Sequence, residues 1–229
     1  LLGFGSSEIP QVKAIFQALC KIEYPDGMLF DPASVQVAEI RKESRYDGLR
    51  VLLYGFLDAA RCQVQVDIGF GDAVTPEADN VEYPVILEKF DHPTLRAYPR
   101  YTVVAEKFEA LYSLGMVNSR MKDYFDLYTV ALHMDFDGSI LSRAIKATFD
   151  RRQTELKNFS PIGLTAAFSQ DSQKQIQWKA FLRKNKIESV SLDETVSFVA
   201  SFLLPVTDAV HRASDFSLYW NSGGPWVEM

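Results

Sequence analysis

The stretch Tyr101 to Leu132 reads YTVVAEKFEALYSLGMVNSRMKDYFDLYTVAL. Its spacing predicts two helices parted by a short break over Gly115 to Ser119. At about 100° per residue, Val103, Val104, Leu111 and Leu114 make one apolar arc of the first helix. Lys107 falls in the middle of that arc, while Ala105, Glu106, Glu109 and Ser113 make the wetter side. The second helix carries an arc of Met121, Tyr124, Phe125, Leu127, Tyr128, Val130, Ala131, Leu132 and Met134. Arg120 and Asp123 lie inside it; Asp126 lies at its edge with Lys122, Thr129 and His133. A charge on a core-facing stripe costs free energy unless it is paired or reaches a cleft. Two readings stand for Lys107 and Asp123: a structural ion pair inside the core, or a functional site. Asp126 taken alone reads as a solvated helix residue.

The chain around this stretch has 229 residues, enough for one large domain or two small ones, and is 47% hydrophobic, enough to bury a sizeable core. No run reaches the roughly 18 apolar residues of a membrane span, and no signal peptide is visible. Cys20 and Cys62 fall in different predicted elements, and His92, His133 and His211 are isolated, so no zinc signature exists. The two thiols read as free, packed cysteines of a reducing cytosol, which makes a cytoplasmic location the expectation. Net charge is −6, which argues against a surface coated wholesale by nucleic acid. From Arg143 to Lys186, however, ten Lys or Arg stand against three acids. That segment is either a pair of ordinary solvated helices or a landing surface for an anionic partner.

Upstream, Glu8 to Cys20 has helical spacing with Val12, Ile15, Phe16 and Leu19 on one face, and Pro10 sits in its first turn. Val35 to Ile40, Leu49 to Leu57 and Arg61 to Phe70 read as strands, antiparallel because their connections are short. The third alternates strictly, with Cys62, Val64, Val66 and Ile68 on one face and Arg61, Gln63, Gln65 and Asp67 on the other. Asp67 on the open face is either an ordinary exposed strand residue or an oxygen ligand for a divalent metal. Asp72 to Pro99 reads as a long loop that lays Val85, Ile86, Leu87 and Leu95 against the core. Downstream, helices are expected from Gly138-Ser139, over Asp171 to Lys184 with Ile176, Trp178, Phe181 and Leu182 apolar, and after Ser191. There, Glu194 completes a capping box, and Pro205 ends or kinks the helix. The tail with Trp220 and Trp226 reads as an irregular arm. The fold class is α+β, with a boundary expected near Asp135 to Ser139 that separates residues 1–137 from a helical region, 138–229.

Four passages resemble the AbiEii/AbiGii-type nucleotidyltransferase toxin family, of the minimal nucleotidyltransferase class. They are Leu1-Leu2-Gly3-Phe4-Gly5; Tyr46-Asp47-Gly48-Leu49-Arg50-Val51 leading into Val66-Asp67-Ile68-Gly69-Phe70-Gly71-Asp72; Val104-Ala105-Glu106-Lys107-Phe108-Glu109-Ala110-Leu111; and Asn118-Ser119-Arg120-Met121-Lys122-Asp123-Tyr124-Phe125-Asp126-Leu127. The last two in tandem are the specific ones, and the likeness covers about residues 1 to 155. The resemblance implies a polymerase-β-like nucleotidyltransferase core with a mostly antiparallel sheet, a nucleoside triphosphate (NTP) substrate and Mg²⁺. It also implies a toxin opposed by a separately encoded antitoxin, with an RNA acceptor such as tRNA in some members. It puts Lys107 on triphosphate oxygens, makes Asp123 or Asp126 the essential acid, sets Arg120 and Lys122 near phosphate, and matches Asp67 to a strand carboxylate that holds metal. The family's Gly-Ser or Gly-Gly motif and Asp-x-Asp pair would fall directly upstream of Leu1, so residues 1–229 are not expected to form a complete catalyst. Two alternatives stand beside RNA nucleotidylation: a non-catalytic module that binds a nucleotide or a protein, and a small-molecule nucleotidyltransferase.

Overall fold

The computed structural model describes residues 1–40, 48–157, 160–188 and 190–228. They form two compact units, 1–72 and 73–229. Tyr46 and Asp47, quoted above as part of one family-like passage, lie outside the described residues.

The first unit is a five-stranded sheet with one helix. Strands β1 (Leu2–Gly3), β2 (Met28–Phe30), β3 (Gln36–Glu39), β4 (Gly48–Leu57) and β5 (Ala60–Phe70) are joined by helix α1 (Ile9–Leu19) ahead of β2. The order is β1-β5-β4-β2, with β3 also on β4; β1 runs parallel to β5 and the other pairings are antiparallel. The β4–β5 register sets Leu49 opposite Ile68, Val51 opposite Val66 and Leu53 opposite Val64. These residues, with Val12, Cys20 and Val35, make the unit's small core. The opposite face carries Arg50 against Asp67 and Leu52 against Gln65, so the strict alternation of β5 sets its two faces as the sequence implies. Helix α1 departs from expectation. Val12 is buried, but Ile15 and Leu19 are about half exposed, because the thin sheet covers only part of the helix's apolar arc.

The second unit is helical with two small sheets. After the hairpin β6 (Asp79–Glu82) and β7 (Thr94–Ala97) come α2 (Arg100–Leu114), α3 (Met121–His133), β8 (Phe136–Asp137), α4 (Gly138–Arg152), α5 (Ala166–Ser169), α6 (Ser172–Asn185), α7 (Leu192–His211), β9 (Tyr219–Trp220) and β10 (Trp226–Val227). Helices α2 and α3 fall where the Tyr101–Leu132 spacing puts them, parted by a 3-10 turn at Gly115–Val117. Gly115 has φ +50°, and a Cβ there would meet Ile162 Cγ2 at 3.0 Å, so glycine suits both the turn and the contact. A single apolar core runs from Tyr101 in α2 to Trp220 in β9. The boundary expected at residue 137 therefore falls inside a continuous core. Ser191 and Glu194 form the capping box in both directions at the start of α7. Pro205 does not end that helix, which continues to His211. Phe202, Leu203, Val206, Thr207 and Ala209 are buried on both sides of the proline. At about 1.5–3 kcal/mol for each large apolar side chain, that packing exceeds the roughly 3 kcal/mol cost of an interior proline.

Two further expectations are corrected. The segment 72–99 is not an irregular loop laid on the core. It holds the β6–β7 hairpin, and Ile86 is 99% exposed, with Leu87 and Leu95 also largely in solvent. The tail is less irregular than expected. Strand β9 pairs with both β8 and β10, and its aromatic rings strap the helices. Trp220 Nε1 donates to the Ala131 carbonyl at 2.7 Å, and Trp226 Nε1 to that of Phe202 at 2.9 Å. Phe202 lies 4.9 Å from Trp220 and 5.7 Å from Trp226 between ring centroids. Among the described residues no helix is long and apolar enough to cross a membrane. We expect Trp220→Ala to cost the second unit about 3–5 kcal/mol in urea denaturation, and Ile86→Ala less than about 0.5 kcal/mol.

Candidate active site

Helix α2 buries Tyr101, Val104, Ala105, Phe108 and Leu111. Its core stripe is therefore rotated from the arc expected through Val103 and Leu114. Lys107 lies at the border of the stripe, its side chain 21% exposed. Glu109, expected on the wet side, is buried, and it is held by Arg152 Nη1 at 2.5 Å and Thr154 Oγ1 at 2.6 Å. The reason is the neighbour. Helix α4 packs along that side of α2, and the end of α4 delivers Arg152 to the carboxylate.

Helix α3 buries Met121, Tyr124, Leu127 and Ala131. Asp123 and Asp126 flank that stripe one turn apart, facing α2. The Lys107 ammonium takes both of them, at 2.7 Å to Asp123 Oδ1 and 2.6 Å to Asp126 Oδ2. Lys122, on the solvent side, reaches the same Asp126 oxygen at 2.6 Å. The result is a formally neutral quartet of two lysines and two carboxylates. Asp126 is not a solvated edge residue: its side chain is 22% exposed, close to the 16% of Asp123. Arg120, expected inside the apolar arc, is exposed at the N-cap of α3.

Lys107 and Asp126 are held in their ionised forms. Burial alone would push Lys107 toward the neutral amine, but its bonds to Asp123 and Asp126 outweigh that and raise its pKa above the ordinary lysine value. Burial would likewise raise Asp126, but Lys107 and Lys122 pull it below the usual carboxylate range. A depressed carboxylate stabilises the fold above its unfolded pKa and loses that contribution as pH falls through its folded value. A raised lysine stabilises below its unfolded pKa and loses that contribution as pH climbs through its folded value.

Below α3, Tyr124 Oη donates to the Gly163 carbonyl at 3.0 Å, and burial pushes its phenol far above the ordinary range. Asn118 is buried at the turn before α3. Its Oδ1 accepts from the Arg120 N–H at 2.8 Å, and its own N–H donates to the Gly115 carbonyl at 3.2 Å. Sequence reasoning did not weigh Asn118, although an Asn two residues ahead of a predicted helix is a recognisable turn signal. It also missed Lys174. Helix α6 buries Lys174, Trp178 and Leu182, spaced by four, and leaves Ile176 62% exposed. The expected apolar face through Ile176 hid a lysine on the stripe.

Asp67 stands in the first unit on the open sheet face. Arg50 grips it with two bonds, Nε to Oδ1 at 2.8 Å and Nη2 to Oδ2 at 2.9 Å. Among the described residues no three His, Cys, Asp or Glu side chains gather as a metal site. A divalent ion of the magnesium type wants six oxygens, so Asp67 would supply one ligand and does not by itself make a site. The chain does contain one Asp-x-Asp, Asp135-Phe136-Asp137, but both carboxylates are used structurally. Asp135 Oδ1 accepts from the Ser222 N–H. Asp137 Oδ1 caps α4 through Ser139 and Ile140, which lowers its pKa. Cys20 is buried and Cys62 exposed, both as free thiols.

Lys107→Met should leave Asp123 and Asp126 facing each other without their shared cation. We expect Asp126 to titrate at higher pH in the variant by carboxyl NMR. Stability at pH 7 should drop by about 1–3 kcal/mol, a deficit that shrinks as pH falls through the Asp126 pKa.

A solved structure from H. pylori, titled "putative nucleotidyltransferase", is similar at 14% identity over 82% of this chain and 69% of that one, with a TM-score of 0.35. At that score the likeness carries no argument about the fold. No curated protein matches. Residues 1–197 match the family described as "Nucleotidyl transferase AbiEii toxin, Type IV TA system", a span that takes in the first unit, the second as far as the start of α7, and the whole lysine–carboxylate quartet, and the chain belongs to that family.

Proposed function

We propose that this chain serves a nucleotidyl transferase toxin that moves a nucleotide from an NTP to an RNA acceptor, tRNA being the first to test. The observation that carries the reading is the Lys107 ammonium suspended between Asp123 and Asp126 at the edge of the core. An ammonium has three protons, and two carboxylates take two of them. The third is suited to a triphosphate oxygen, and Lys122 and Arg120 stand on the exposed side, where incoming phosphate would meet them. Nucleotidyl transfer rests on positioning and charge neutralisation more than on covalent chemistry by the protein. A lysine whose charge is locked on by two acids is suited to that work. As phosphate engages Lys122 and the third proton of Lys107, the cations' hold on the two carboxylates is shared with the ligand, and either acid is placed to orient the acceptor hydroxyl. The pair Asp123 and Asp126 acts as a unit in this reading, with no single essential acid assigned by distance.

Mg²⁺, when bound, would neutralise charge on the departing pyrophosphate. Asp67 is proposed as one of its ligands, supported by its place on the open sheet face. Arg50 would have to give up part of its grip. Calorimetric titration of Mg²⁺ into wild type and Asp67→Asn reads this without turnover: equal binding removes Asp67 from the ligand set.

The acceptor reading draws on the basic stretch. Arg143, Arg151, Lys179, Arg183, Lys184 and Lys186 are exposed, whereas Arg152 is engaged by Glu109 and Lys174 is buried. Reversing Arg151, Arg183 and Lys184 to Glu should weaken tRNA binding at least tenfold at low salt and flatten its salt dependence. Unchanged affinity would remove RNA from this surface. Family membership supports an antitoxin as partner, and the two free thiols support the cytoplasm as the place of action. The deciding experiment uses the full-length gene product with each labelled NTP, Mg²⁺ and total tRNA, beside Lys107→Ala and Asp123→Asn. Label in tRNA from wild type alone is the expected result. No label with any nucleotide from folded protein would overturn the RNA reading in favour of a binding module or a small-molecule acceptor.

A further inference from the structure

Lys174 is 5% exposed in the interior of the second unit. No carboxylate pairs with it among the described residues. Its ammonium donates to the Asn118 carbonyl at 2.9 Å, reaches Gln177 Oε1 at 3.5 Å, and lies 5.3 Å from the centre of the Phe168 ring. A buried charge without an anion is an expensive way to fill space; an unbranched apolar side chain of similar length would stabilise the fold more. What the charge does gain is a hold on one peptide. Asn118 is the hinge of the turn into α3, tied also to Gly115 and Arg120, and the Arg120 carbonyl in turn receives the Asp123 N–H at 3.0 Å. The contact with Phe168 reaches the same helix by a second route, because Phe168 stacks on Tyr124 at 4.9 Å. Both routes end beside Asp123.

We infer that Lys174 is a positioning residue, whose ammonium fixes the Asn118 turn so that α3 presents Asp123 and Asp126 to Lys107. This rests on the reading of the quartet as the nucleotide site. Helix α6 then belongs to the working site although none of its side chains is placed on the nucleotide. Lys107 itself stands on α2, to which the Lys174 ammonium makes no hydrogen bond among the described residues, so loss of the clamp should disturb the acids more than the grip on triphosphate.

The test compares full-length wild type with Lys174→Met and Lys174→Arg, using the labelled NTP that wild type accepts. Lys174→Met is expected to melt at or above the wild-type temperature, because it removes a buried charge. Its kcat should fall about 10- to 100-fold, with KM for the nucleotide changed less than about threefold, and Lys174→Arg should recover most of the loss. By carboxyl NMR, Asp126 should titrate nearer the ordinary carboxylate value in Lys174→Met and as in wild type in Lys174→Arg. An unaltered kcat with an unaltered Asp126 titration overturns the inference, as does a loss of kcat that only follows a lowered melting temperature. If wild type itself transfers no label, the nucleotidyl transfer reading fails, while a shifted Asp126 titration in Lys174→Met still supports the clamp.

Discussion

One ammonium held by two carboxylates joins the first two helices of the larger unit. Lys107 on α2 is a full charge at the margin of a dry stripe, and it is tolerable there because Asp123 and Asp126 arrive from α3 within 2.7 Å. Much of the local design serves that meeting. The 3-10 turn at Gly115–Val117 reverses the chain tightly enough for α3 to lie beside α2. The buried partners Tyr124 and Leu127 rotate α3 so that its acids lean toward the lysine rather than toward water. A second lysine, Lys122, balances the charge from outside. The arrangement is stiff, and in the function proposed above that stiffness serves a chemistry of positioning.

Much of this was legible in the sequence, and the failures have physical causes. Two helices broken at glycine, the alternation of β5, the capping box at Ser191 and the unusual charges at positions 107 and 123 all follow from spacing and residue chemistry. The exact faces did not. Apolar residues such as Val103 and Leu114 weight a helical wheel toward themselves, whereas the true stripe is set by what packs against it. Glu109 reads as solvent-facing until Arg152, 43 residues away in the chain, is seen to meet it. Asp126 looked peripheral for a similar reason: a lysine from another helix decides its surroundings. Lys174 was missed because a lysine is assumed to be wet unless every neighbour at helical spacing says otherwise. In each case the deciding term is a long-range partner, which periodicity within one element cannot reveal.

The hairpin of residues 79–97 shows the opposite error. Its apolar residues were assigned to the core on hydrophobicity alone, yet Ile86 stands in water. Helices α3, α4 and α7, together with the aromatic tail, already fill the core against α2, so no apolar volume is left for that segment to occupy. Composition says what a residue prefers; the supply of unfilled interior decides whether the preference is met.

The aromatic strap carries a consequence for how the protein comes into being. Phe136 and Phe202 are completed as a core layer by Trp220 and Trp226, which follow α2 and α3 in the chain. During translation, α2 and α3 emerge before the strap, and their apolar faces wait for a cover that lies well downstream. A growing chain of this kind cannot close its larger unit until β10 has left the ribosome. That makes emergence of the strap, rather than of the helices, the moment at which the Lys107–Asp123–Asp126 cluster can first become rigid.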